Sequence, residues 1–354
     1  MLNFTVGPVQ EFDYVLEIGA CRTPYFRNAT FSKIMLENEC MIKKLAFAPE
    51  DAKTVFLTAS GTGGMEATIL NCLTPKDKAL IINGGSFGER FEKLCQIYEI
   101  PYEEVDVPFE DTLTEEMLVP YEGKGFTALL INMHETSIGK LYDMKMVSNF
   151  CKKNHLFLIV DAISAFMADP IYVEDWKIDA LIVSSQKALA LPPGISVLIL
   201  SREAQNRINK NADVKSMYFN LKDALANAER GQTPYTPAVG ILMQMHERLR
   251  RLCEIGPENE WNRVEQLANY FRKEIKNLPL KIASNSLSNA VTPLWVDCMS
   301  AYELFETLEE KYQIWICPSG GKYKDRLFRI GHLGQLEKRD YDQLISALKE
   351  CMHK

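Results

Sequence analysis

Two consecutive stretches of this chain, TVFLTASGTGGMEATILNCL from Thr54 and KALIINGGSFGERFEKLCQIYEI from Lys78, each run from an apolar strand through a glycine-rich turn into an amphipathic helix. Another short strand, PYEEVDVPF, follows the second helix. Strand, crossover helix and strand repeated in this way predict a parallel sheet with helices packed on its faces, an α/β architecture. The 354 residues, 47% of them hydrophobic, suffice for one large unit of that kind plus a smaller one.

Ligands of open α/β sheets bind at the carboxyl edge. Predicted strands ending near Thr58, Asn83, Met133, Asp161 and Ser185 deliver polar residues there. In the first turn, glycines at 61, 63 and 64 let backbone amides approach an anion closely, and the helix start adds partial positive charge. The turn lacks the G-K-[ST] ending of a Walker A loop, and Glu66 stands where a dinucleotide fingerprint has its third glycine. Glycines that serve packing alone would look the same.

Between Asp179 and Ser201, two apolar runs, ALIVSS and ISVLIL, flank a loop with a single lysine, Lys187, and a Pro-Pro-Gly turn at 192 to 194. An ammonium held among nonpolar groups tends to lose its proton, and the neutral amine is the form Schiff-base chemistry needs. The plainer alternative is a lysine that reaches solvent from a hairpin end. Asp161, at the end of LFLIVD, is open to a similar reading as a capping carboxylate. A competing signal is G-x-S-x-G over Gly84, Ser86 and Gly88, the nucleophile elbow of serine hydrolases, for which Asp161 and His332 would complete the triad in chain order.

Net charge is −7, from 40 basic and 47 acidic residues without long runs of either sign, which argues against nucleic acid or an anionic membrane as partner. The N-terminus has no basic segment ahead of an apolar core, and no stretch of about twenty apolar residues occurs. Nine cysteines are scattered singly without a C-x-x-C pair, the pattern of reduced thiols. A cytoplasmic location is therefore expected. The five histidines show no ligand spacing, so no metal site is expected.

In the second half, prolines 234 and 237 keep GQTPYTPAVGI extended ahead of a helix over Ala238 to Cys253. Gly256-Pro257 then breaks the chain. Beyond it a helix over Glu258 to Asn277, a strand pair, a helix over Ala301 to Tyr312, the strands IWICP and LFRIG, and a closing helix from Lys338 predict an α+β unit. The expected organisation is an N-terminal segment over 1–15, a large unit over 16–256 and a small one over 257–354.

From VGP at residues 6 to 8, through SGTGGMEA, GGSFGER, HETSIG, VDAISA, SSQKALALPPG and YTP, to FRIGHLG at 328 to 334, the ordered motifs span nearly the whole chain. In these the sequence resembles the class V aminotransferases of pyridoxal-phosphate fold type I, especially the alanine–glyoxylate/serine–pyruvate and 2-aminoethylphosphonate–pyruvate branch. The resemblance implies a mostly parallel seven-stranded sheet between helices, with pyridoxal 5'-phosphate as cofactor. It implies that Lys187 holds the cofactor covalently and moves protons, while Asp161 faces the pyridine nitrogen and keeps the ring able to accept electrons. Phe87 would stack on the ring, Thr136 would contact the ring oxygen, and Gly61, Thr62, Gly63 and Gln186 would hold the phosphate. Thr236 would reach the phosphate of a neighbouring subunit, which implies a homodimer. Arg329, otherwise readable as a surface strand arginine, would pair with a substrate carboxylate, and Gly7 would line the substrate pocket.

Two departures stand out: Ile138 where threonine is commoner, and Phe87 where tryptophan or histidine is commoner. Neither removes a catalytic group. The expected reaction moves an amino group from a small donor, alanine or serine, to a 2-oxo acid such as glyoxylate or pyruvate. Aminoethylphosphonate is the alternative donor. A desulfurase would need a reactive cysteine on a mobile loop, whereas Cys317 reads as a packed thiol at a strand end.

Overall fold

The computed structural model describes residues 1–352; His353, one of the five histidines counted above, and Lys354 lie outside the described residues. Seven strands form the larger sheet: β1 (Lys53–Thr58), β2 (Ala79–Asn83), β3 (Tyr102–Asp106), β4 (Ala128–Asn132), β5 (Phe157–Asp161), β6 (Ala180–Ser184) and β7 (Ile195–Leu200). Their order in space is β1-β7-β6-β5-β4-β2-β3. Only β7 runs against its neighbours, so the expected mostly parallel sheet is what forms. Every residue of β4 through β7 is buried, as strands covered by helices on both faces require.

The sheet's register aligns the polar strand ends. Asn132 pairs with Asp161, and Asp161 with Ile182, so the loop after β6 leaves the sheet beside the Asp161 carboxylate. The helix expected near Gly63 begins two residues earlier, as Gly61–Cys72, with the Ser60 hydroxyl accepting from the Gly63 amide at 3.4 Å. An N-cap of this type typically stabilises a helix by ~1 kcal/mol.

Gly256, at φ 84°, separates the helix Val239–Ile255 from the helix Pro257–Glu274. Proline suits the first helical position because its missing N–H would be unpaired there anyway. The four strands that follow, β8 (Leu280–Ile282), β9 (Val291–Val296), β10 (Cys317–Pro318) and β11 (Leu327–Gly331), make an antiparallel sheet ordered β8-β9-β11-β10. Helices Ala301–Tyr312 and Lys338–Met352 cover it, with Phe271, Leu304, Phe328 and Leu344 in a shared apolar cluster.

The first residues are a short strand, Leu2–Asn3, laid parallel to Ile314–Trp315. Phe4 is fully buried in the cluster of the small sheet, whereas Val6, Val9 and Val15 are buried in that of the large one. This stitch draws residues 6 to 8 across the carboxyl edge of the large sheet.

Candidate active site

At that edge lies a cavity of about 140 Å³. Of the residues singled out in the sequence, Gly61, Thr62, Phe87, Thr136, Asp161, Gln186 and Lys187 line it, brought together from five separate strand ends or helix starts.

Lys187 is 9% exposed, and its amine donates to the backbone carbonyl of Val6. Burial is the main reason its pKa falls from 10.5 to about 8. The loop that carries it turns back through Ala190 in the left-handed region at φ 52°, with the Ala190 amide donating to the Lys187 carbonyl at 2.8 Å. Side chains rarely adopt that conformation unless their surroundings impose it. Arg248 supplies the restraint: its guanidinium donates to the carbonyls of Leu189 at 3.2 Å and Ala188 at 3.4 Å, and to buried Glu260 at 2.6 Å.

Asp161 is 6% exposed. One carboxylate oxygen accepts from the Ile163 amide at 2.8 Å and the other from the Asn132 side chain at 2.6 Å. Burial still outweighs these bonds and lifts its pKa from 3.8 to about 6. The carboxylate is thus short of a cation.

The glycine turn packs too closely for side chains. A Cβ on Gly61 would lie 2.4 Å from Ile163 Cδ1, and one on Gly64 would lie 2.0 Å from Ser196 Oγ. Gly63 does not line the cavity, although its amide belongs to the same helix start. Arg90 was not foreseen from the sequence. It lines the cavity, donates to the Thr62 hydroxyl at 2.8 Å and lies 4.8 Å over the Phe87 ring. Its sequence signal was present: an arginine in the first turn of a helix that starts at the ligand-binding edge.

Phe87 is held by a residue the motif reading passed over. Buried Glu135 accepts from the amides of Phe87 at 3.2 Å, Gly88 at 3.1 Å and Ser137 at 3.2 Å, capping the start of the helix Gly88–Ile97. Thr136 donates to Ser164 Oγ at 2.6 Å, and Ser164 stands 3.0 Å from Nδ1 of His134. His134 and Ser164 also line the cavity.

Phe87 borders a second, larger chamber of about 900 Å³, on which Arg329 opens. The Arg329 fork donates to the Thr136 carbonyl at 3.0 Å and the Pro318 carbonyl at 3.1 Å, with Cys317 Sγ at 3.1 Å. Cys317 is half-buried in β10. Gly7 does not face the chamber; at φ 127° it lies against the Lys187 side chain. Thr236 is exposed and lines a separate apolar pocket with Tyr218 and Tyr235. It is therefore not brought to the Lys187 cavity of its own chain.

The hydrolase reading is corrected. Ser86 is exposed on the outer chamber. His332 is fully buried under the small sheet, with its ring nitrogens engaged by Thr292 at 2.7 Å and Tyr341 at 2.9 Å. Both nitrogens are committed elsewhere, so His332 is not available to Ser86 as a base.

The donor set fits the flat, anionic aldehyde that the resemblance implies. It offers an amine of lowered pKa, a buried carboxylate in want of a cation, and a capped helix start with Arg90 alongside for a phosphate. Among the described residues no cluster of histidine, cysteine and carboxylate side chains is arranged to hold a metal, and no helix is long and apolar enough to cross a membrane.

Comparison with known proteins identifies the family. An uncharacterized aminotransferase of Helicobacter pylori strain 26695 is 31% identical over 360 residues, covering 100% of this chain and 94% of that protein. The L-aspartate–glyoxylate aminotransferase of Paracoccus denitrificans is 28% identical over 301 residues, 80% of this chain and 74% of its own. Among solved structures, the alanine–glyoxylate aminotransferase of Nostoc sp. superposes with a TM-score of 0.93 at 24% identity, covering 99% of this chain and 94% of that one. The model of the aminotransferase class-V family matches residues 13–321, most of the chain. With that match, the chain belongs to the class V aminotransferases, a family of pyridoxal-phosphate-dependent transaminases.

Proposed function

We propose that the protein transfers the amino group of a small donor, alanine or serine, to a 2-oxo acid such as glyoxylate or pyruvate, with pyridoxal 5'-phosphate held on Lys187. The carrying observation is that a lysine of lowered pKa and a carboxylate of raised pKa are buried in the wall of one cavity. When bound, the cofactor supplies an electron sink for the bonds at the substrate's α-carbon. Lys187 takes and returns the proton at that carbon, and a pKa of about 8 leaves an appreciable neutral fraction near neutral pH. Asp161 would pair with the ring nitrogen, Phe87 would cover the ring, Thr136 would meet the ring oxygen, and Gly61, Thr62, Gly63 and Gln186 would receive the phosphate.

Arg329 orients the substrate's α-carboxylate. Among the described residues the one other arginine lining the two chambers, Arg90, is turned to Thr62 and Phe87, which supports a donor with a single carboxylate. Glyoxylate as acceptor is supported by the Paracoccus relative's name. Thr236, exposed and not among the residues that line the cavity of its own chain, supports a homodimer in which it serves the partner's phosphate. We further assign a cytoplasmic location and the division 1–15, 16–256 and 257–354, the last supported by the separate cluster around Phe271 and Phe328.

The test is a half-reaction panel. Holoenzyme mixed with alanine, serine, aspartate, glutamate and 2-aminoethylphosphonate should lose its visible absorbance with alanine or serine and regain it with glyoxylate or pyruvate. Conversion by aminoethylphosphonate alone would replace the donor assignment. A protein that takes up no cofactor would overturn the reading altogether.

A further inference from the structure

A chain of hydrogen bonds in the cavity ends on a nitrogen that has nothing to bond. Thr136 Oγ1 donates to Ser164 Oγ across 2.6 Å, which leaves the Ser164 proton for another acceptor. Two are in reach, Nδ1 of His134 at 3.0 Å and the His134 carbonyl at 3.3 Å. The nearer takes it. An imidazole that accepts at Nδ1 carries its own proton on Nε2. That Nε2 is buried and has no partner among the described residues. Buried N–H groups are nearly always paired, so an orphan on a residue that lines a ligand cavity calls for the ligand's own acceptor.

The surroundings specify which kind of acceptor. The charged groups acting on His134 are Lys187, Arg329 and Arg272, all cations. Burial, reinforced by these cations, lowers its pKa to about 3, so the ring is neutral across the physiological range. A site surrounded by positive charge favours an anionic partner.

We propose that His134 is a ligand-contacting residue whose neutral imidazole donates its Nε2–H to an anionic oxygen of the bound cofactor or substrate. This rests on the functional reading above. The oxygen belongs either to the cofactor's ring hydroxyl or to the substrate carboxylate. The second source is open because the Thr136 carbonyl, at the other end of the chain, accepts from Arg329 at 3.0 Å. Ser164 fixes the tautomer and is a positioning residue.

Two substitutions in the holoenzyme decide the matter, His134→Leu and His134→Gln, the second retaining an amide N–H at about the reach of Nε2. A ring-oxygen contact stabilises the deprotonated oxygen. His134→Leu should then raise the pH midpoint of the bound cofactor's visible absorbance by about one unit and weaken cofactor binding roughly tenfold. His134→Gln should recover most of both. A carboxylate contact would leave the midpoint in place and raise KM for the amino donor roughly tenfold with kcat little changed. If His134→Leu does not fold, His134→Asn replaces it, since its shorter amide keeps the Ser164 bond and lacks the reach of Nε2.

A midpoint within about 0.3 unit of wild type, with cofactor affinity and KM within twofold, in a folded variant would overturn the proposal. Equal losses in the Leu and Gln variants would do the same, because they would mark a packing role. A wild-type chain with no visible band after cofactor addition would instead bring down the functional reading and this inference with it.

Discussion

The amine of Lys187 donates a hydrogen bond to the backbone carbonyl of Val6, a residue 181 positions earlier in the chain. The next residue, Gly7, lies so close that a Cβ there would stand 2.6 Å from Lys187 Cδ and 2.8 Å from its amine. Gly7→Ala therefore combines a strained backbone at φ 127° with a clash on the Lys187 side chain. Strain of that kind costs of order 1–3 kcal/mol. The expected result is a protein that folds with a modestly lower melting temperature and loses at least about tenfold in kcat, as a misplaced reacting group does. Wild-type turnover would show that the N-terminal segment does not position the lysine.

The lowered pKa of Lys187 predicts a pH profile. The neutral amine is the nucleophile toward an aldehyde, and its fraction reaches a plateau once pH passes the pKa. Cofactor-free protein should therefore gain the covalent visible band at a rate that rises up to about pH 8 and then levels off. The sign for stability follows from the same depression. Between about 8 and 10.5 the unfolded chain binds the extra proton, so this group destabilises the fold below pH 8, and that penalty fades as pH rises toward 10.5. Stopped-flow absorbance across pH 6 to 11 checks the rate. A rate still climbing at pH 10 would mean an ordinary exposed lysine.

How much of this was legible beforehand varies by residue. Lys187, Asp161 and the Gly61 turn sit at ends of strongly patterned strands, so hydrophobic periodicity alone put them at one sheet edge. Asn132 was legible in principle, because it ends a parallel strand beside Asp161, but only the register made it a partner. Glu135, Arg90 and His134 depend on tertiary contact: a carboxylate in HETSIG says nothing of the amides of Phe87 and Gly88 it will accept from. Arg248 was invisible for a further reason. It lies in a helix whose other arginines, Arg250 and Arg251, pair at the surface with glutamates of that helix, and only packing turns Arg248 inward.

That inward turn gives a stability prediction. Arg248 and Glu260 are both nearly inaccessible and 2.6 Å apart. Burial would raise the Glu260 pKa, but Arg248 and Arg263 outweigh it and hold it at about 2. Arg248→Leu leaves that carboxylate without one of its two cations and frees the Ala188 and Leu189 carbonyls. Removing one partner of a buried pair typically costs 3–5 kcal/mol. Chemical denaturation should show a loss of that order, and Arg248→Leu with Glu260→Leu should lose clearly less than Arg248→Leu alone. A double variant no better than the single would place the effect in the loop carbonyls instead.

Asp161 gives the sharpest separation of stability from function. Its folded pKa is raised from 3.8 to about 6, so between those values the folded state binds the extra proton and this group's contribution to stability falls as pH rises. Above pH 6 the cofactor-free protein therefore bears a penalty of about 3 kcal/mol from the ionised carboxylate. Asp161→Asn removes the charge. The unpaired Oδ1 of Asn132 lets that neighbour flip its amide and accept from the new one, so the local bonds survive. Cofactor-free Asp161→Asn is expected to be more stable than wild type at pH 7 by roughly 1–3 kcal/mol, with the advantage vanishing below pH 4. Holoenzyme turnover should nevertheless collapse if Asp161 serves the ring nitrogen as proposed. Denaturant melts of both proteins at pH 4 and pH 7 check it. A variant less stable than wild type at pH 7, or a difference independent of pH, would mean that the carboxylate is not held against its charge in the cofactor-free protein.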